Sequence, residues 1–494
     1  MILEFDKQLA ARETPIPGLI ACDLTVHGDA RGWFKENWQR AKMAALSPQL
    51  AAFRPVQNNM SMNDAAGVTR GFHAEPWNKL VGIASGRVFG AWVDLRRGPT
   101  FGRTFACELD PSVAVFVPRG VANAFQTLEA GTSYSYLVDA HWSPDSRSSY
   151  AYVNLADPAL DIDWPIPLEC AVLSDADRAH PPLADVEPIS PKRTMVTGAG
   201  GQLGRAVVEL AAERGLADLF DATDAGSLDL TDEAAYETID WDAYGTVVNC
   251  AAFTAVDAAE TAEGRTSAWA ANATGPSLMA RTCAEHGVTL VHVSTDYVFD
   301  GTAEVHAENE AFSPLSAYGQ SKAAGDIAVA GCPSHYIVRS SWVVGDGKNF
   351  VETMMGLSRR CADGTDELSE VTVVDDQIGR LTFARDLAEG IFWLLGYRDG
   401  DLEPSSAAPF GTYNLTGSGA PASWAEIAAR VFELTCGNAG CVRPVTTGEY
   451  LSGASGAIAP RPAHSTLALD KIEAAGFEPP SWEDRLGEYV RERR

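Results

Sequence analysis

Positive charge is in short supply: 38 Lys+Arg face 66 Asp+Glu over 494 residues, a formal charge of −28. Such a surface repels a polyphosphate backbone, so nucleic acid is not an expected partner. A small anionic substrate remains compatible, because a few arginines inside a pocket outweigh a surface field that salt screens over about 10 Å. No uncharged apolar run approaches the roughly 20 residues of a membrane span. IFWLLGY at 391–397 is only seven long. The opening MILEFDKQLA carries charges inside its apolar stretch and lacks the apolar core of a signal peptide. A cytoplasmic protein without membrane contact is expected. The nine cysteines form no C-x-x-C, and the closest pair, Cys436 and Cys441, lacks further ligands at zinc-site spacing. Buried free thiols are the expectation. No internal repeat of 20–50 residues and no low-complexity tract is visible.

What is present is an ordinary globular composition, 46% hydrophobic and 21% charged, in a chain long enough for two or three domains. Residues 174–193, SDADRAHPPLADVEPISPKR, hold four prolines among alternating charges and predict an extended linker. Before it, RVFGAWVDL (87–95), VAVFVPRG (113–120) and SYSYLVDA (133–140) alternate with Gly/Pro turns, as in an all-β barrel or jelly roll. After it, TMVTG (194–198), TVVNCAA (246–252), VTLVHVST (288–295) and HYIVRSS (335–341) alternate with Ala-rich helical segments. That is the βαβ pattern of a parallel sheet.

At the first of these α/β strands, TMVTGAGGQLGRAVVEL runs through Gly198, Gly201 and Gly204 into an amphipathic helix. A glycine-rich turn there lets the backbone approach a pyrophosphate held on the helix N-terminus, and it also serves a tight turn that binds nothing. Asp224 follows the apparent second strand, where a carboxylate meets an adenosine ribose or is simply a loop residue. Tyr318 and Lys322 form a Tyr-x-x-x-Lys whose i,i+4 spacing places both on one helix face. A neighbouring ammonium and a cationic nicotinamide together are expected to lower the phenol's proton affinity and make it a usable donor at neutral pH. The same spacing also occurs on solvated helix surfaces. Thr295 ends the preceding strand, at the carboxyl edge where open α/β sheets bind ligands.

Residues 193–494 resemble the dTDP-4-dehydrorhamnose reductase family of extended short-chain dehydrogenases. The motifs are VTGAGGQLG, VVNCAAFTAVDAAE (247–260), STDYVFDG (294–301), SPLSAYGQSKAAGD (313–326), VRSSWVVGDGKNF (338–350) and VVDDQIGRLT (373–382). The resemblance implies a Rossmann fold using NADPH or NADH. It makes Thr295, Tyr318 and Lys322 the catalytic trio, with Gly198, Gly201, Gln202, Leu203, Gly204, Asp224, Ala251 and Ala252 around the cofactor and Trp342 on the substrate. Val344 and Leu381 stand where the family more often has Tyr and Pro.

In the N-terminal part, GVTRGFHAEPWNKLVGIASG (67–86) brings Arg70, His73 and Lys79 within ten residues. With Tyr136 and Asp157 downstream, a base, a carboxylate, a cation and a phenol are available for proton abstraction beside a carbonyl. A packed structural histidine is the plainer alternative. His27, His73, His141 and His180 are far apart in sequence, and no metal is expected there.

Residues 1–185 resemble the dTDP-4-dehydrorhamnose 3,5-epimerases, dimeric jelly rolls of cupin type. The match lies in ARGWFKENW (30–38), VQNNMS (56–61), TRGFH (69–73), KLVGIASGRVFGAWVDLR (79–96), VPRGVANAF (117–125), YSYLVDAHWSP (134–144) and DPALDIDWP (157–165). By this resemblance His73 is the base, Asp157 orients it, Tyr136 is the acid on the opposite face and Lys79 stabilises the enolate. Arg31, Glu36, Gln57, Asn59 and Arg70 hold the nucleotide sugar, some arginines reaching a neighbouring subunit's site. Asn123, Trp142 and the HAEPW segment depart from the family's usual residues and leave open whether both C3 and C5 are inverted.

The expectation is a two-domain fusion: a jelly roll (1–185) and an α/β Rossmann domain (192–494) joined through 174–193. It converts dTDP-4-keto-6-deoxyglucose to dTDP-L-rhamnose as a homodimer built through the jelly roll, with NADPH or NADH; the sequence leaves any use of Mg²⁺ open. Synthesis of another dTDP-6-deoxyhexose, or a non-catalytic nucleotide-binding role, are the alternatives.

Overall fold

The computed structural model describes residues 3–363, 369–398, 407–452 and 456–493. The chain divides into two compact units, Met1–Pro191 and Lys192–Arg494.

The first unit is built from strands β1 (Ala10–Glu13), β2 (Ile20–Asp23), β3 (Val26–Asp29), β4 (Gly32–Lys35), β5 (Gln57–Asn63), β6 (Thr69–Ala74) and β7 (Lys79–Ser85). It continues with β8 (Val88–Asp94), β9 (Thr104–Leu109), β10 (Val113–Val117), β11 (Val121–Thr127), β12 (Thr132–Val138) and β13 (Ala151–Val153). One sheet runs β1-β2-β10-β7-β12-β5 and the other β13-β6-β11-β8-β9, while β3 and β4 form a separate hairpin. Strand alternation sends Val81, Ile83 and Val115 of one sheet against Val88, Trp92, Val121 and Phe125 of the other, forming a dry core between them. Each such side chain contributes about 1.5–3 kcal/mol by leaving water.

The segment expected as a linker is instead folded onto this unit. Ser174 caps a short helix, Asp175–Arg178, by accepting from the Asp177 amide. Ile189 pairs with the strand end at Arg96, its amide donating to Leu95 O at 2.7 Å. Leu183, Val186 and Ile189 pack on a second apolar cluster under β6, β8 and β11. The prolines end local elements here, and the apolar residues between them supply the anchoring that composition alone conceals.

In the second unit, β14 (Arg193–Thr197), β15 (Phe220–Ala222), β16 (Tyr244–Asn249), β17 (Thr289–Thr295), β18 (His335–Ser340) and a last strand at Gly411–Asn414 form one parallel sheet. Neighbouring residues go to opposite faces. Val196, Val248 and Val291 meet the helices Gln202–Glu213 and Ala384–Leu395. Met195, Val247 and Leu290 meet the helix Gly275–His286. A third apolar cluster joins the helices Phe350–Asp363, Trp424–Cys436 and Trp482–Glu492. Because β14 has β15 on one side and β16 on the other, the winding reverses at β14 and opens a crevice at its carboxyl end. Among the described residues no helix is long and apolar enough to cross a membrane.

Candidate active sites

The first site is a cavity of about 150 Å³ between the two sheets of the first unit. From β6 and β11 it receives Arg70, His73, Asn123 and Phe125; from β5, β7 and β12 it receives Ser61, Lys79, Tyr134 and Tyr136. Register explains the convergence. Tyr136 lies opposite Asn59 on one neighbour and Val81 on the other, while Asn123 lies opposite His73, so alternate residues of the facing sheets point at one another.

His73 Nε2 lies 3.3 Å from Asp177 Oδ1. Burial pushes the Asp177 carboxyl up, but hydrogen bonds from His73 and Ser174 outweigh it and hold the group at about 2, an acceptor at any physiological pH. Lys79 is almost fully buried, and its ammonium donates to Glu75 Oε2 at 2.8 Å, as does the Trp77 indole at 2.9 Å. Burial, then the Glu75 charge, push the Tyr136 phenol up, so it carries its proton at neutral pH.

Asp157 does not orient His73. Its carboxylate accepts from the Ala159 and Leu183 amides, capping a 3-10 turn at Pro158–Leu160, and Asp177 fills the expected role. Arg31 and Glu36 also stay out of this cavity. Arg31 is 89% exposed at its side chain and paired with Asp29 on the β3–β4 hairpin, and Glu36 pairs with Lys42. Gln57 bridges Asn59 and the Trp142 amide. Sequence spacing gave no sign that His180 stands beside His73, yet their ring centroids are 5.5 Å apart.

The second site lies at the β14 crevice. Gly198 adopts φ +64°, and a Cβ there would sit 2.7 Å from the Ala251 backbone; a Cβ on Gly204 would collide with Gly198 O. Gly201 caps the helix Gln202–Glu213 without a side-chain bond, leaving the amides of its first turn unsatisfied. Turn, helix end and the Ala251–Ala252 backbone together form a cradle that fits a dinucleotide pyrophosphate. The Gln202 side chain serves the cradle's edge, accepting from the Gly345 amide at 2.7 Å. Leu203 packs into the apolar layer below. Asp224 is exposed, with Oδ1 bound to the Gly226 and Ser227 amides.

Thr295 ends β17, and its hydroxyl donates to Asp296 Oδ1 at 3.0 Å and accepts from the Tyr297 amide at 3.3 Å, while the Tyr318 phenol is buried nearby. Burial pushes the Tyr318 phenol up, and the Lys322 ammonium donates to Val293 O at 2.6 Å. Burial also drops Lys322 to about 8, with Asp326 opposing. One turn on, Asp326 pairs with Arg339 at 3.0 Å, so a single carboxylate faces two buried cations. Asn272, in a π-helical turn, holds Ser321 and the Phe253 backbone in place. Trp342 takes φ +47°, stacks on Trp424 at 3.8 Å and lies over Gly379.

Residues 13–185 match the family model of dTDP-4-dehydrorhamnose 3,5-epimerase, and residues 192–494 match that of the RmlD substrate binding domain. The chain belongs to both families. The epimerase unit is 50% identical over 192 residues to the protein RmlC homolog of Streptococcus pyogenes serotype M6, covering 38% of this chain and 96% of that one. The reductase unit is 34% identical over 304 residues to dTDP-4-dehydrorhamnose reductase of Aggregatibacter actinomycetemcomitans, covering 60% and 97%. It is also similar to the crystal structure of dTDP-4-dehydrorhamnose reductase from Bacillus anthracis in complex with NADP. That match has 33% identity, a TM-score of 0.51, and covers 61% of this chain and 99% of that one.

Within the epimerase unit, sequence reasoning missed Asp177, Glu75, Ser61 and Tyr134. Asp177 had a signal: Ser174-x-x-Asp177 is a helix-capping pattern. Within the reductase unit it missed Asn272, Asp326 and Arg339, which touch the trio only through the fold.

Proposed function

We propose that this chain inverts C3 and C5 of dTDP-4-keto-6-deoxyglucose in its epimerase unit and reduces the C4 ketone in its reductase unit, giving dTDP-L-rhamnose. The observation that carries the reading is that His73 and Tyr136 enter one cavity from facing sheets. A sugar ring between them has a base on one face and a proton donor on the other, which is what inversion requires. The C4 ketone acidifies the C3 and C5 protons. Asp177 accepts the Nε2 proton of His73 and leaves the other ring nitrogen free as the base. Lys79 faces the developing enolate, its charge moderated by Glu75.

In the reductase unit the glycine cradle and helix amides hold the pyrophosphate of NADPH, which supplies the hydride when bound. Tyr318, kept neutral by burial, gives its proton to the C4 oxygen. Reduction removes the acidity on which epimerisation depends and so fixes the new stereochemistry.

The first unit then is a cupin-type jelly roll, the second a Rossmann domain, and the protein a cytoplasmic homodimer through the first. Edge strand β5 carries exposed Met60 and Met62, and the β3–β4 hairpin exposes Trp33, Phe34 and Arg31. A partner covering this face brings Arg31 towards the neighbouring cavity.

The test is NMR of the product formed from dTDP-4-keto-6-deoxyglucose in D₂O with NADPH or NADH. Deuterium at C3 and C5 of dTDP-L-rhamnose is expected, with NADPH preferred. Deuterium at C5 alone, or another C4 configuration, overturns the substrate-level reading.

A further inference from the structure

A second imidazole, that of His180, stands beside the cavity-lining His73, their ring centroids 5.5 Å apart. His73, Asp177 and His180 each offer one ligand atom, and these three atoms lie within 4.8 Å of one another. The Asp177 side chain is only 11% exposed. His180 Nδ1 is buried without a hydrogen-bond partner, although a buried polar atom normally has one. The backbone holds the group rigidly. Asn154 Nδ2 donates to His180 O at 2.9 Å, the Asn154 amide to Pro181 O at 2.8 Å, and Ser174 Oγ to Asp177 Oδ2 at 2.8 Å. Gly71 beneath them has no side chain, and a Cβ there would strike Asp177 Oδ1 and come within 3.1 Å of the His180 ring.

We propose that His73, Asp177 and His180 form a site for a divalent transition metal, Zn²⁺ in the first place, whose occupation switches the epimerase off. Two imidazoles and one carboxylate with an open fourth position make a donor set that Zn²⁺ accepts. Bonds of about 2.0–2.2 Å draw ligand atoms closer than their present spread, and small side-chain rotations suffice. The inhibition follows from proton placement and rests on His73 being the base. Without metal, the Nε2 proton of His73 points at Asp177 and the other nitrogen keeps its lone pair. Metal bound at Nε2 displaces the proton held there to Nδ1, where it occupies the lone pair the base needs, so that nitrogen becomes a donor. Asp177, now a ligand, no longer accepts from the ring. The metal competes with catalysis and takes no part in it.

The test uses the full chain freed of metal with a chelator, and two readouts. Zn²⁺ should depress deuterium exchange beside the ketone by about 10²–10⁴-fold, the usual worth of a general base, and chelator should restore it. Co²⁺ in place of Zn²⁺ should give d–d absorption of a low-coordinate nitrogen/oxygen site without a thiolate charge-transfer band, which separates it from the free cysteines. His180→Gln, whose imidazole Nδ1 makes no hydrogen bond, should exchange normally without metal. Loss of even an outer-shell partner weakens metal binding about 10–100-fold, so loss of this ligand should weaken it at least that much. His180→Asn serves if the glutamine variant melts early. Zinc that leaves exchange unchanged, equal inhibition of wild type and variant, or a thiolate band overturns the proposal. If metal-free wild type exchanges nothing, the epimerase reading fails; the cobalt spectrum of wild type against His180→Gln still decides the metal site.

Discussion

Asp177 and His73 are 104 positions apart, and the carboxylate Oδ1 stands 3.3 Å from the imidazole Nε2. The pair divides the roles of the two aspartates cleanly. Asp177→Asn should lower deuterium exchange beside the ketone by about 10–100-fold, since an amide cannot favour the imidazolium that forms. Asp157→Ala removes a cap worth about 0.5–2 kcal/mol and should lower thermal stability while leaving exchange near wild type. Measuring both rates by NMR in D₂O checks the assignment; the reverse pattern would restore Asp157 to the site.

His73 and Tyr136 act on opposite faces of the sugar, so their variants should fail differently. His73→Ala should lose exchange altogether, by about 10²–10⁴-fold. Tyr136→Phe should still wash deuterium into the substrate through His73 while net inversion drops by a similar factor. Comparing label uptake with the sugar's coupling constants distinguishes them.

Tyr318→Phe keeps the ring and removes the proton destined for the C4 oxygen. Reduction should fall by about 10²–10⁴-fold with NADPH affinity little changed, and exchange in the epimerase unit should continue. Loss of both activities in this variant would show that the two sites are coupled.

Lys322 carries its charge at a cost to the fold. Burial lowers its proton affinity from 10.5 to about 8, a penalty on the order of 3 kcal/mol at neutral pH. Between about pH 8 and 10.5 the unfolded chain keeps the proton that the folded chain has shed, so this group's contribution to stability rises with pH across that window. Lys322→Met leaves Asp326 paired with Arg339, and should therefore abolish reduction while raising the melting temperature at pH 7. Calorimetry at pH 7 and pH 10 should show that gain shrinking as pH rises.

The sequence made one half of this molecule more legible than the other. In the reductase unit the chemistry lies in local patterns: spacing paired Tyr318 with Lys322 and Gly198 with Gly204, the strand end marked Thr295, and the family resemblance joined the trio. In the epimerase unit the cavity is assembled from five strands and a returning segment. Arg70, His73, Lys79 and Tyr136 were recoverable because strand alternation aims them inward. Asp177 was not, because its segment is proline-rich and charged, and the apolar anchors Leu183, Val186 and Ile189 that return it to the sheets are sparse. The burial of Tyr318 was not legible for a related reason: burial is a property of the whole fold.

The returning segment also sets an order of events during synthesis. All thirteen strands of the first unit precede Asp177 in the chain, so the sandwich can pair, and present His73, before the carboxylate that orients it exists. On the proposed role of Asp177, full epimerase activity therefore waits for the last segment of that unit, immediately before the first residues of the reductase are made. A nascent chain halted between β13 and this segment carries the strands of the cavity without that carboxylate, and its exchange should be slowed as in Asp177→Asn.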